Sequence, residues 1–250
     1  MLTGPVVAAR GIPVADLSIA AASDLRFALE EIGRTTEAQG LARVRLTFGS
    51  SGQLAAQIEQ GAPFDLFFSA DEEYVQALAR RGLVRPESVQ RYAVGRIVLW
   101  VRAASPLDVT DGLTVLVDER VRFVAIANPA HAPYGRAAVE ALRSAGIYDR
   151  LRGRLVLGET VSQTLQFVQS GNADVGIVAL SLAVAPSMRS TGRYLLIPAS
   201  LHRPIRQAAG VVAATRQPAQ ARAFLALLNG PAGREVMRRY GFALPGEPLP

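Results

Sequence analysis

Hydroxyl side chains stand where short apolar strands give way to helices, and that placement points to the binding of an oxyanion. In Phe48-Gly-Ser-Ser-Gly-Gln-Leu-Ala-Ala-Gln-Ile58, the alternation of Val44, Leu46 and Phe48 reads as a strand, and Leu54, Ala55 and Ile58 share one helical face. Ser50 to Gly52 therefore occupy the strand-to-helix junction. The first N–H groups of a helix lack intrahelical partners and its dipole places partial positive charge there, so such a junction favours an anion. Ser51 can add a hydroxyl donor. The plain alternative is capping, since serine is a preferred N-cap and stabilises by about 1 kcal/mol without any ligand.

The same junction recurs along the chain. Leu17-Ser-Ile-Ala-Ala-Ala-Ser23-Asp24-Leu25 leads into a helix whose apolar face is Leu25, Ala28, Leu29 and Ile32, with Ser23 and Asp24 at its start. In Val124-Ala-Ile-Ala-Asn-Pro-Ala-His-Ala-Pro-Tyr134, Pro129 and Pro133 confine a loop before the helix of Ala137, Ala138, Ala141 and Leu142. Leu155-Val-Leu-Gly-Glu-Thr-Val161-Ser162-Gln163 leads into Leu165 and Val168. Four such turns predict an α/β fold. They argue for a shared anion site less directly, because every α/β protein has turns of this kind.

From about Leu17 to Phe242 the chain resembles the molybdate-binding proteins of the ModA type, extracytoplasmic receptors of ABC importers. The resemblance rests on Ala20-Ala-Ala-Ser-Asp-Leu25, Gly49-Ser-Ser-Gly-Gln-Leu54, Gln57-Ile-Glu-Gln-Gly-Ala-Pro63, Asp65-Leu-Phe-Phe-Ser-Ala-Asp71, Ile126-Ala-Asn-Pro129 and Ala132-Pro-Tyr-Gly135. Gly158-Glu-Thr-Val-Ser-Gln163, Gly171-Asn-Ala-Asp-Val-Gly-Ile-Val178, Gly230-Pro-Ala-Gly233 and Arg239-Tyr-Gly-Phe242 follow in the family's order. It implies a type II periplasmic-binding-protein fold, two α/β lobes joined by a two-crossing hinge with the ligand in the interlobe cleft. The crossings are expected at the strand-like run Gly95–Val101 and at Tyr194–Pro198 with Ile205–Ala214. Lobe 1 would comprise residues 16–97 plus 204–250, lobe 2 residues 98–203. The final helix face of Ala221, Phe224, Leu225 and Leu228 would pack back on lobe 1.

By position the resemblance implies that a tetrahedral dianion is held by Ser23, Asp24, Ser51, Tyr134 and Val161. Ser23 and Ser51 would donate through hydroxyl and backbone, and Tyr134 and Val161 through main-chain N–H groups. No protein atom would ligate the metal directly, and no further cofactor is implied. Neutral donors hold a dianion while keeping it releasable, because a buried full ion pair is harder to separate. Molybdate and tungstate, nearly equal in size, are both expected to bind, with the smaller sulfate excluded by cavity size. Two positions depart from the family. Asp24 stands where some members carry asparagine, and a carboxylate facing a dianion would be repelled, so Asp24 is expected to cap its helix, point away and act through its backbone alone. Ala179 stands where others carry tyrosine, which predicts a gap or a water beside it.

Composition agrees with a receptor. Of 250 residues, half are hydrophobic and 19% charged, as in globular proteins, and no apolar run approaches the roughly 20 residues of a membrane span. The +6 net charge could assist anion capture or suggest nucleic acid, but the arginines at 80–81, 150–154 and 234–239 are scattered and lack interleaved aromatics, so no nucleic-acid partner is expected. The partners expected are the oxyanion and a membrane ABC permease, with the receptor itself a monomer. Zero cysteines exclude disulfides, thiol catalysis and a lipoprotein anchor on the chain as given. Residues 1–15, with the short apolar stretch Val6–Ala9, read as a residual leader, and the family implies a periplasmic location. A serine hydrolase is the main alternative class: His131 and His202 are the available bases, but Gly49-Ser-Ser-Gly-Gln53 lacks the last glycine of a nucleophile elbow. A receptor for sulfate or another tetrahedral oxyanion is the second alternative, since fold alone does not choose the ligand.

Overall fold

The computed structural model describes residues 15–247, so most of the expected leader lies outside the described residues. The strand-like and amphipathic runs of the sequence build a two-lobed α/β architecture. The chain first lays down β1 (Asp16–Ala22), α1 (Arg26–Ala38), β2 (Arg43–Gly49), α2 (Ser51–Glu59), β3 (Leu66–Ser69), α3 (Glu72–Arg80) and β4 (Gln90–Gly95). It then crosses to β5 (Ile97–Arg102), β6 (Val124–Ala127), α4 (Pro133–Ser144), α5 (Tyr148–Leu151), β7 (Leu155–Gly158), α6 (Val161–Gln169), β8 (Val175–Ala179), α7 (Leu180–Ala183) and β9 (Gly192–Leu196). It returns as β10 (Ile205–Val211), α8 (Pro218–Asn229) and α9 (Pro231–Arg239).

The two sheets do not merge. Lobe 1 has the order β2-β1-β3-β10-β4 and lobe 2 the order β7-β6-β8-β5-β9. In each, the strand that precedes the first strand-to-helix turn pairs in parallel on both sides, β1 with β2 and β3, β6 with β7 and β8. Parallel strands covered on both faces need apolar residues throughout, and Leu66-Phe-Phe-Ser69 and Val124-Ala-Ile-Ala127 are buried at every position. Edge strand β2 instead alternates, with Arg43, Arg45 and Thr47 outward, which also discourages pairing with another chain.

Both chain crossings are antiparallel couplings. β10 inserts between β3 and β4, and β5 between β8 and β9. The run Gly95–Val101, expected as one continuous strand, breaks at Arg96: Gly95 ends β4, and Ile97, expected in lobe 1, begins β5 opposite Ala179. Residues 197–204 form the second crossing. Helix α8 buries Ala221, Phe224, Leu225 and Leu228, and Phe224 meets Phe68 of β3 edge-on at 5.9 Å between ring centroids. The C-terminal segment is therefore part of the first lobe's core.

Candidate functional site

Parallel strands send their carboxyl ends, and the helices that follow, toward the same side of a sheet, so the four hydroxyl-bearing or proline-bounded turns of the sequence face the interlobe boundary. Their local chemistry differs from simple capping. The first turn is a 3-10 segment, Ser23–Leu25, preceding α1, and its N-cap position, Ala22, provides no side-chain cap. At the second, Ser50 holds the N-cap position of α2 with an extended backbone but makes no capping bond. Ser51, fully buried, accepts at Oγ from the Ala70 N–H at 2.9 Å, which leaves its own O–H to donate. Pro133 fixes the first turn of α4. Only at the fourth does a hydroxyl cap its helix: Thr160 Oγ1 accepts from Gln163 N at 3.0 Å.

Each turn of lobe 1 touches both turns of lobe 2, a closed arrangement of the lobes. Ser162 N donates to Ser23 Oγ at 3.3 Å, and Ser162 Oγ donates to the Ser23 carbonyl at 3.0 Å. Tyr134 Oη donates to Asp24 Oδ2 at 2.9 Å. Gly52 N donates to the His131 carbonyl at 3.0 Å, and Ser50 Oγ lies 2.7 Å from His131 Nδ1. Gln53 Nε2 donates to Glu159 Oε2 at 2.6 Å. Glycine at 52 is what permits this approach, since a Cβ there would stand 3.0 Å from the His131 carbonyl oxygen and 2.8 Å from the Tyr74 hydroxyl.

All five residues expected at the site are buried, at 0 to 4% exposure, and sit at these four turns. Hydrogen bonds join Ser23 and Asp24 to the lobe 2 turns that carry Val161 and Tyr134, whereas the side chains of Ser51 and Val161 make no such interlobe bond among the described residues. Among the described residues the main-chain N–H groups of Ser51, Tyr134 and Val161, each in the first turn of its helix, have no hydrogen-bond acceptor. Chemically the arrangement offers neutral, buried donors from both lobes, while Arg26 and Arg136 near these turns pair with Glu30 and Asp71.

One expectation is corrected. Asp24 does not cap its helix: its carboxylate turns into the protein and accepts from Tyr134 Oη and, at 2.7 Å, from Gln207 Nε2. Burial pushes its pKa up to about 7, against the downward pull of the Gln207 and Tyr134 hydrogen bonds and of the Asp24 and Leu25 main-chain N–H groups. The Tyr134 hydroxyl, to which no role was given, ties lobe 2 to Asp24. His131, named above as an available base, lies between Ser50 and, at 3.3 Å through Nε2, Glu159. Ala179 is fully buried at the end of β8, opposite Ile97 of β5.

Residues that sequence reading missed complete the cluster. Gln207 is fully buried, contacts both Asp24 and Tyr134, and was signalled only as a polar residue inside the apolar run 205–214. Ser181 Oγ donates to the Asp24 carbonyl at 2.7 Å. A methyl group at Gly95 would stand 2.7 Å from Gln207 Nε2 and inside the Tyr134 hydroxyl, so this crossing residue must be small. The Ser50–His131–Glu159 array resembles a hydrolytic triad in composition. Its Ser50 is buried, its Glu159 is shared with Gln53, and the nearby Gly52 N–H is already spent on the His131 carbonyl. A separate cavity of about 620 Å³ between α3, α4 and the second crossing contains none of the five expected residues, and its Arg136 and Arg203 pair with Asp71 and Glu140.

Two lobes, a double crossing and converging helix starts define a two-lobed solute-binding protein. Residues 17–243 match the family model described as bacterial extracellular solute-binding protein, and the chain belongs to that family, in its ModA group. It is 38% identical to the molybdate-binding protein ModA of Rhodobacter capsulatus, covering 89% of this chain and 86% of the relative. The ModA protein of Azotobacter vinelandii is 35% identical, over 92% and 90% of the two chains. The solved Azotobacter vinelandii periplasmic molybdate-binding protein superimposes with a TM-score of 0.86 at 34% identity, covering 92% of this chain and 99% of that one. The sulfate-binding protein SubI from Mycobacterium tuberculosis H37Rv shares the fold, with a TM-score of 0.75 at 15% identity over 93% and 88% of the chains.

Proposed function

We propose that this protein is a periplasmic receptor that captures molybdate, and equally tungstate, and delivers it to an ABC importer, without catalysing a reaction. The observation that supports this reading is the meeting of four buried helix starts, two from each lobe, whose free donors are neutral. A dianion in such a cleft exchanges its hydration for directed N–H and O–H donors, and no arginine fixes it in place. Ser23 and Ser51 supply hydroxyls, Ser51, Tyr134 and Val161 supply N–H groups, and the anion's oxygens, not its metal, face the protein. The relatives named for molybdate support the choice of ligand over sulfate. Closure presents the permease with a surface formed only when both lobes meet, and the receptor works as a monomer with no nucleic-acid partner.

Isothermal titration calorimetry of dialysed protein with molybdate, tungstate, sulfate and phosphate tests this. One-to-one binding of the first two without heat from the others is the expected result. Heat from sulfate alone would replace molybdate with a smaller oxyanion, and silence with all four would end the receptor reading.

A further inference from the structure

Asp24 is held from both lobes in a way that suits an acid better than its anion. It is 1% exposed. Its Oδ2 accepts from Tyr134 Oη and Gln207 Nε2, while Oδ1 is buried without a partner among the described residues. Two donors on Oδ2 suit the carbonyl oxygen of a neutral carboxyl group; the main-chain N–H groups of Asp24 and Leu25 lie close to the carboxyl but make no hydrogen bond to Oδ1, which as a hydroxyl needs an acceptor. Gln207 belongs to lobe 1, whereas Tyr134 and Ser181, which grips the Asp24 carbonyl, belong to lobe 2. Lobe closure therefore completes the burial of this carboxyl.

The groups around it include no cation, and the donors that favour its anion are Gln207, Tyr134 and the main-chain N–H groups of Asp24 and Leu25. From β4 comes Tyr92 and from α4 comes Tyr134, both pushed well above the ordinary tyrosine value by burial and by the Asp24 charge, hence neutral near pH 7. Gln207 of β10, Ser162 of α6 and Ser181 of α7 are uncharged. Arg26 of α1 is exposed and pairs with Glu30 at 3.5 Å. A dianion arriving beside an ionised Asp24 would add repulsion in a region where water no longer screens it.

We propose that Asp24 enters the anion site as a neutral carboxylic acid, its Oδ1 hydroxyl donating to the oxyanion, so that closing the cleft around the ligand takes up one proton. This rests on the receptor reading above. The direction of the linkage follows from the two states of the cleft. In the closed form burial raises the carboxyl to about 7, whereas in an open, hydrated cleft it returns toward the ordinary 3.8. A group raised on closing favours closure fully below its open-form value, and loses that contribution as pH rises through its closed-form value. Affinity for the anion thus falls by about tenfold from pH 6 to pH 8, with uptake of about 0.9 proton at pH 6 and about 0.1 at pH 8. The same proton makes Asp24 a specificity-determining residue. A neutral acid donates to a fully deprotonated oxyanion, while an ionised Asp24 would accept from a protonated one such as hydrogen phosphate.

The test is calorimetry of molybdate binding at pH 6, 7 and 8, each in two buffers of different ionisation enthalpy, on the wild type and on Asp24→Asn. The wild type should show the proton uptake and the tenfold slope; Asp24→Asn, which keeps an acceptor for Tyr134 and a donor at the other position, should take up no proton and vary less than twofold. Tight wild-type binding with no uptake at pH 6 overturns the proposal. So does a slope that persists in Asp24→Asn and disappears in His131→Gln, or phosphate binding with proton release. Absence of molybdate binding by the wild type at every pH would instead strike the receptor reading on which the proposal stands.

Discussion

Replacing Ser51 by alanine separates what this side chain does for the fold from what it does for the ligand. Ser51 is fully buried and its Oγ accepts the Ala70 N–H at 2.9 Å, both within lobe 1. Ser51→Ala leaves that buried N–H unpaired, which costs about 1–3 kcal/mol of stability. The penalty is the same with the cleft open or closed, so it cancels from the binding equilibrium and appears only in the thermal melt of the free protein. The lost donor to the anion is charge-assisted and worth about 1.5–3 kcal/mol, a rise in Kd of roughly 10- to 150-fold. Titration calorimetry with molybdate at a temperature well below the melt reads the second effect alone, and calorimetric melting of the unliganded protein reads the first. A lowered Tm with an unchanged Kd would show Ser51 to be a structural hydroxyl and remove it from the anion site.

Three other perturbations address the lobes themselves. Gly52→Ala places a methyl 3.0 Å from the His131 carbonyl of the other lobe; overpacking of this kind costs about 1–3 kcal/mol, charged to closure, so Kd should rise at least fivefold in the same titration, while the 2.8 Å approach to the Tyr74 hydroxyl, within lobe 1, lowers the melt of the free protein only as far as that side-chain end fails to move aside. His131→Ala removes the Ser50 bond across the cleft, worth about 0.5–1.5 kcal/mol, and stopped-flow release of the ligand should quicken by roughly 2- to 12-fold. Phe224→Ala opens a cavity against Phe68, and denaturant unfolding should show a loss of about 3–5 kcal/mol, with ligand affinity retained at low temperature because none of the five site residues lies on α8.

The α/β class and the four turns were legible in the sequence because they depend on local patterns: alternation in Val44, Leu46 and Phe48, helical spacing in Leu54, Ala55 and Ile58, and small or hydroxyl residues between. The cross-lobe cluster was not legible. Asp24, Tyr134 and Gln207 are separated by 110 and 73 positions along the chain, and nothing local marks them as partners. Charge repulsion alone turned Asp24 outward in the sequence reading; burial with two donors, and the proton this permits, is a tertiary effect. The break at Arg96 escaped for a related reason. Gly95 to Val101 is apolar enough for one strand, and only the crowding of Tyr134 and Gln207 against Gly95 shows where the chain leaves one sheet for the other.

The sheet order carries a folding timetable. Lobe 2 is one uninterrupted stretch from β5 to β9, with every strand it needs, so it can complete its core while the rest of the chain is still being made. Lobe 1 cannot. Its β3 and β4 are separated by a place that only β10 fills, more than a hundred residues later, and Phe224 of α8 must arrive to close over Phe68. Until then β3, apolar at Leu66, Phe67 and Phe68, keeps an unpaired edge, the kind of surface on which chains associate wrongly. The non-local closure is slow for the same reason. Lobe 1 is therefore the half of the molecule that gains most from a chaperone, and a chain truncated before β10 should hold a folded lobe 2 beside an unfinished lobe 1.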